Sequence, residues 1–222
     1  MPYTDKPISS VASRFFYVVT CLAMTAFTTP SIASSSADTD SINAEDPHAH
    51  HRAMMQNTNN YSKLYSSYDL PPHTLKDKNG NDVNLHDFLH DDKPFIVSFI
   101  FTTCTTICPI LTATLSSAQD KLMASPIKPL LVSISIDPEV DTPDKLTAYA
   151  KKFKASEDWV FLTGKLNDII EVQRSLGVYR GTKLNHEPVT LMKAPNKKWL
   201  ALNGFTSASD LINEYRSYSN ND

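Results

Sequence analysis

The sequence predicts an α/β protein: a central mixed β-sheet flanked by helices, with a β-hairpin on its N-terminal side. Three observations predict it. Mostly apolar runs at residues 95–101, 130–136 and 159–163 read as strands, the first covered on both faces, the second also buried and the third short. Stretches with apolar residues at helical spacing, such as Leu111, Leu115, Ala118 and Leu122, lie between them. The resulting order is hairpin, β, α, β, α, β, α, β, β, α, and such alternation puts helices on both faces of one sheet.

Residues 1–33 read as a signal peptide or N-terminal anchor. Lys6 and Arg14 give a weakly basic start, residues 15–27 are apolar, and Ser31-Ile32-Ala33 resembles a cleavage site. The apolar run is shorter than the ~20 residues a spanning helix needs, which favours a cleaved signal over a retained anchor. The segment is poor in Arg and carries Asp5, unlike a mitochondrial presequence. The expected location is therefore the periplasm, free or held at the inner membrane by an N-terminal tether.

Residues 34–67 are polar, rich in Ser, Asn, Asp and His, and lack a periodic apolar face, so a flexible linker is expected there. His48, His50, His51, Met54 and Met55 cluster within it. Imidazoles and thioethers so close together suit an accessory site for a soft or borderline metal, and a solvated His-rich tail is the alternative.

Residues 68–222 make the folded domain. Asn79-Gly80 between short apolar segments predicts the hairpin turn. The strand at 95–101 runs into Cys104 and Cys108, and Pro109 suits the first turn of the helix that follows. After the strand at 130–136, Thr142 and Pro143 have the form of a helix cap and first helical residue, with the helix running to about Phe153. Leu166, Ile169, Ile170 and Leu176 mark a further helix closed by Gly177. Residues 189–193 and 199–202 pair across Pro195-Asn196, and Ser207 with Asp210 forms a capping box for the last helix.

Bulk properties narrow the function. The chain has 222 residues, 41% of them hydrophobic, which is room for one ordinary domain and a tail. A net charge of -3 without a basic run argues against nucleic acid as a partner. Only 5 glycines occur and none forms a phosphate-cradling loop.

The chemistry lies in the cysteines. Of 3, Cys21 falls in the N-terminal segment, so the domain keeps Cys104 and Cys108. In an oxidising compartment such a pair tends to form a disulfide, but a staple across so short a loop restricts the unfolded chain little. If Pro109 opens the helix, Cys108 sits at its cap, where the helix dipole favours thiolate. The CxxxC spacing also widens the loop enough to admit an ion between the sulfurs. His186, in the Asn185-His186-Glu187-Pro188 loop before a predicted strand, is the best candidate for a third ligand. Two sulfurs and one imidazole suit copper in either oxidation state. On the residues alone, an ordinary surface histidine remains the alternative. A closed zinc site is disfavoured because it wants four protein ligands. His73, His86 and His90 read as surface residues.

Four segments resemble the Sco/SenC family of copper chaperones. They are Phe101-Thr102-Thr103-Cys104-Thr105-Thr106-Ile107-Cys108-Pro109, Ser135-Ile136-Asp137-Pro138-Glu139-Val140-Asp141-Thr142-Pro143, Trp159-Val160-Phe161-Leu162-Thr163-Gly164, and His186. They occur in the family's order between Asp69 and Tyr218. The resemblance implies a thioredoxin-like fold with an inserted hairpin and a copper site made by Cys104, Cys108 and His186. It also implies a metallochaperone rather than an enzyme, delivering copper to a recipient cuproprotein, the copper centre of a cytochrome c oxidase subunit. The alternative is a thiol–disulfide oxidoreductase that reduces the recipient's copper-ligating cysteines; either role needs a thiol reductant to reset the pair. A binding module with a merely structural disulfide is a third reading. Two features depart from the family pattern: Thr105, Thr106 and Ile107 include no acidic residue between the cysteines, and Asn185 stands where many members have Asp.

Overall fold

The computed structural model describes residues 60–89 and 92–220. The N-terminal signal or anchor, most of the linker with His48, His50, His51, Met54 and Met55, and also His90, lie outside the described residues.

The three apolar runs form the middle of one sheet. Strands β4 (Phe95–Ile100), β5 (Leu130–Ser135) and β6 (Val160–Thr163) are parallel neighbours. All of β4 is buried, which is why its sequence is apolar without alternation. Its one polar residue is satisfied inside the core: Ser98 Oγ lies 2.9 Å from Ser133 Oγ, which accepts the Trp159 indole N–H at 3.0 Å. On the other side of β4 runs β7 (Val189–Lys193), antiparallel to it, followed by β8 (Trp199–Gly204). The predicted hairpin consists of β2 (Thr74–Asp77) and β3 (Asp82–Asn84), and joins the sheet through Lys76↔Thr163 beside β6. With β1 (Tyr61–Ser66) the order is β1-β8-β7-β4-β5-β6-β2-β3, a mixed sheet as predicted.

Strand β1 corrects the predicted linker boundary at residue 67. Four of its six residues are exposed, so it carries no apolar pattern that would announce a strand. It holds by its antiparallel register on β8, from Tyr61↔Gly204 to Ser66↔Trp199, and by Tyr61 Oη donating to Glu214 Oε1 at 2.8 Å. Gly204 makes the crossing possible: its φ is +123°, and a Cβ there would lie 2.2 Å from the Asn60 carbonyl oxygen.

The helices are α1 (Leu85–Phe88), α2 (Ile107–Met123), α3 (Pro143–Lys152), α4 (Leu166–Ser175) and α5 (Ala208–Asn220). The one-turn α1 is absent from the sequence prediction, since a single turn has no periodicity to detect. The predicted stripe of α2 is buried, and α2 packs against α5 while α3 packs on β6. The expected caps form: Lys145 N donates to Thr142 Oγ1 at 3.4 Å, and Asp210 N to Ser207 Oγ at 3.1 Å. Trp159, Phe95, Phe99, Phe161 and Tyr215 fill the core. Among the described residues no helix is long and apolar enough to cross a membrane.

The topology decides what meets at the end of β4. Because β7 is antiparallel to β4, with Ser98 opposite Thr190, the chain entering β7 passes the C-terminal end of β4. Residues 101–108 leave β4 at that same end.

Candidate metal centre

Beyond β4 the backbone turns, with Cys104 N donating to Phe101 O at 3.0 Å. Helix α2 opens at Ile107, earlier than Pro109 suggests, and Thr106 takes the cap position without a side-chain cap bond. Cys108 therefore lies within the first turn with its side chain fully buried, not at the cap. The free helix N–H expected to favour a thiolate goes to the other cysteine: Cys108 N donates to Cys104 Sγ at 3.4 Å.

This reverses the expected roles of the thiols. Burial pushes the Cys108 thiol far above its ordinary range. Burial also acts upward on Cys104, but the backbone N–H groups of Cys108 and Thr106 outweigh it and hold Cys104 below the ordinary thiol range. Both cysteines are free, Cys104 partly exposed and Cys108 buried. At neutral pH the pair thus offers one accessible thiolate-prone sulfur and one protonated sulfur behind it.

The asymmetry has a measurable consequence. A small alkylating reagent should modify Cys104 first, with a rate that rises at a pH below the usual thiol range, while Cys108 stays protected in the folded state. For Cys108 the folded value lies above the unfolded one, so the folded chain keeps a proton the unfolded chain loses. The stability of the reduced protein should accordingly fall as pH rises through and above the ordinary thiol range. Mass mapping of alkylated peptides and denaturant titrations at several pH values check both.

His186 arrives from the opposite wall. It follows a 3₁₀ turn (Lys183–Asn185), is 7% exposed, and its Nε2 lies 3.2 Å from the Phe99 carbonyl oxygen. A carbonyl only accepts, so Nε2 carries the proton and Nδ1 keeps its lone pair. Burial lowers the basicity of the ring, more than the Phe99 carbonyl raises it, which keeps the imidazole neutral. Asn185 does not orient this ring: its Nδ2 donates to Arg180 O at 3.3 Å within the loop. Arg180 Nε also donates to Glu187 Oε2 at 2.7 Å, closing the loop at its base.

Cys104 and His186 line one cleft of about 190 Å³, together with Phe101, Thr106, Lys183 and Leu184. Cys108 sits beneath Cys104 and does not line it. Among the described residues no three His, Cys, Asp or Glu side chains stand close enough to hold a metal ion as placed. The donor set nevertheless fits copper in kind: a thiolate-prone sulfur, a second thiol in the next turn, and a neutral imidazole with a free nitrogen. A larger hollow of about 540 Å³, lined by Lys78, Met123, Lys128 and Trp159 among others, lies at the opposite ends of β5 and β6 and holds no Cys or His.

Polar residues that sequence reasoning left without a role frame the cleft. Asp141, fully buried, accepts from Thr102 N at 3.1 Å, Thr102 Oγ1 at 2.5 Å and Ser135 Oγ at 2.6 Å. Asp137 accepts from Lys183 Nζ at 2.5 Å. Both acids belong to the segment after β5 that carries part of the family resemblance, which was the available signal; Lys183 had none. His73 and His86 stay outside the cleft, His73 paired with Glu171 at 2.7 Å.

The SCO1/SenC family description matches residues 63–212. The chain belongs to the SCO1/SenC family. It is 38% identical over 106 residues to the SCO1 protein homolog of Bacillus subtilis, a match covering 47% of this chain and 54% of that one. The chain thus spans about half the length of that curated relative. Among solved structures, BsSco is a member of the Sco family of cytochrome c oxidase assembly proteins in which a disulfide switch was identified. It superposes at a TM-score of 0.58 and 30% identity, covering 70% of this chain and 96% of BsSco. Arabidopsis thaliana ScoI with copper bound superposes at 0.57 and 29% identity, covering 66% of this chain and 95% of ScoI. Sco homologues therefore bind copper, and the thioredoxin-like fold expected for the family is the fold seen.

Proposed function

We propose that the chain is a copper metallochaperone that holds copper through Cys104, Cys108 and His186 and passes it to a cuproprotein, the copper centre of a cytochrome c oxidase subunit. The observation that carries this reading is the convergence of Cys104 and a neutral His186 on one cleft. Copper is cargo here. Cys104, already thiolate-prone, takes it first. Cys108 has to give up its proton and turn outward from the first turn of α2, so loading releases a proton. His186 supplies Nδ1 while its Nε2–H stays on the Phe99 carbonyl. Two anionic sulfurs and one neutral nitrogen hold the ion without enclosing it, which leaves a side open to an incoming ligand of the recipient.

The same asymmetry supports a second reading, thiol–disulfide exchange. The Cys104 thiolate attacks a partner disulfide and forms a mixed disulfide. Cys108, losing its proton, then attacks Cys104 Sγ, leaving a Cys104–Cys108 disulfide and a reduced partner. Two electrons pass to the partner, and a thiol reductant must reset the pair before copper can bind. The chain acts outside the cytoplasm in both readings, where its N-terminal segment sends or tethers it, and His48, His50, His51, Met54 and Met55 serve as an accessory copper-collecting arm.

The deciding experiment titrates the reduced protein with copper and records the thiolate-to-copper charge-transfer band. His186→Ala should weaken binding at least tenfold, about 1.4 kcal/mol, and shift the band. An unchanged band and affinity would leave the exchange reading as the better one.

A further inference from the structure

We infer that Lys183 is a positioning residue for the copper site: its ion pair with Asp137 latches the loop that carries His186 onto the segment after β5, so that the imidazole faces the cleft it shares with Cys104. The inference rests on the three-ligand reading and deepens it.

The loop between α4 and β7 would otherwise be fastened mainly to itself. Arg180 bonds to Glu187, Gly177 O and Tyr179 O, and Asn185 bonds to Arg180 O. These bonds hold the loop's shape but not its distance from Cys104. Where the loop enters β7, Pro188 O accepts from Gly204 N of β8 at 2.8 Å; ahead of that point two side chains reach across from it, His186 Nε2 to Phe99 O on β4 and Lys183 Nζ to Asp137 Oδ2, just after β5, at 2.5 Å. The Asp137 side chain is 7% exposed, and the Lys183 ammonium also stands 5.8 Å from the centre of the Phe101 ring. Salt screens a partly buried pair of this kind less than one between two exposed side chains.

The latch shares a polar chain with the cysteine arm. Asp137 N donates to Ser135 Oγ at 3.1 Å, Ser135 Oγ donates to Asp141, and Asp141 holds Thr102 two residues before Cys104. One run of hydrogen bonds thus joins the segment carrying His186 to the one carrying Cys104. Groups just beyond the ligands that orient them typically change metal affinity by about 10–100-fold. Lys183 sits three residues before His186, on the 3₁₀ turn whose last bond is His186 N to Lys183 O.

A charge argument alone predicts the opposite sign. A lysine beside the site repels a copper cation, so its removal should tighten binding if position played no part. The test compares copper affinity and dissociation rate for wild type, Lys183→Met, Lys183→Arg, His186→Ala and Lys183→Met/His186→Ala, all reduced. Lys183→Met should weaken copper binding about tenfold and shift the charge-transfer band as His186→Ala does. Lys183→Arg, which keeps the pair with Asp137, should restore both. The double variant should bind no more weakly than His186→Ala, because Lys183 acts through the histidine. Alkylation of Cys104 in the copper-free protein should stay within about twofold, which separates the latch from general loosening of the fold. Tighter binding in Lys183→Met, or full additivity with His186→Ala, overturns the latch. If His186→Ala itself has no effect, the three-ligand reading fails, whatever Lys183→Met does.

Discussion

Cys104→Ser is expected to abolish copper retention and disulfide exchange together, the largest effect of any single substitution in the site. Cys104 is the partly exposed sulfur that receives the N–H of Cys108 and lines the cleft with His186. A serine hydroxyl is a poor ligand for a soft ion and stays protonated, so nothing replaces the thiolate. The loss should exceed the roughly 10–100-fold that removing an orienting partner costs. Cys108→Ser should behave differently in one respect. It also loses copper, but its Cys104 still attacks disulfides and then accumulates as a mixed disulfide, because no second thiol resolves it. Copper titration together with mass spectrometry of the trapped adduct checks both. Clean turnover of a disulfide partner by Cys104→Ser would overturn the assignment of Cys104 as the nucleophile.

Asp141→Ala should destabilise the domain by about 2–3 kcal/mol and displace the cysteine loop. The carboxylate is fully buried and takes hydrogen bonds from Thr102 N, Thr102 Oγ1 and Ser135 Oγ. Bonds to a charged acceptor contribute more than neutral ones, and removing the acceptor leaves buried donors unsatisfied. Thr102 is only partly buried, so water can replace part of what it loses. Ser135 is fully buried and cannot recover in that way. Denaturant unfolding of the reduced protein measures the stability. The pH profile of Cys104 alkylation measures the site, and it should move toward the ordinary thiol range as the loop drifts from its helix N–H groups. Wild-type stability with an unchanged profile would show that the carboxylate plays neither part.

The site and the fold were legible to different depths. The strands β4, β5 and β6 were readable because burial on both faces demands runs that are mostly apolar, and the caps at Thr142 and Ser207 because a few neighbouring residues make them. Strand β1 was not, since an edge strand held by backbone register on β8 needs no apolar pattern. Helix α2 was expected from its stripe, but its start was misplaced: Pro109 is compatible with several positions in the first turn, and only the packing of Cys108 into the core selects one.

By itself the sequence determined the sheet's central strands, the helices between them, the CxxxC pair at the end of a buried strand, and the family resemblance that singled out His186. Each is written in short segments or periodic patterns whose meaning does not depend on distant residues. Only the tertiary structure decided which cysteine carries the thiolate character, that His186 shares a cleft with it, and that Lys183, Asp137 and Asp141 frame that cleft. Those outcomes depend on burial and on hydrogen bonds between residues far apart in the chain. The antiparallel run of β7 beside β4 creates that proximity, and local pattern does not encode it.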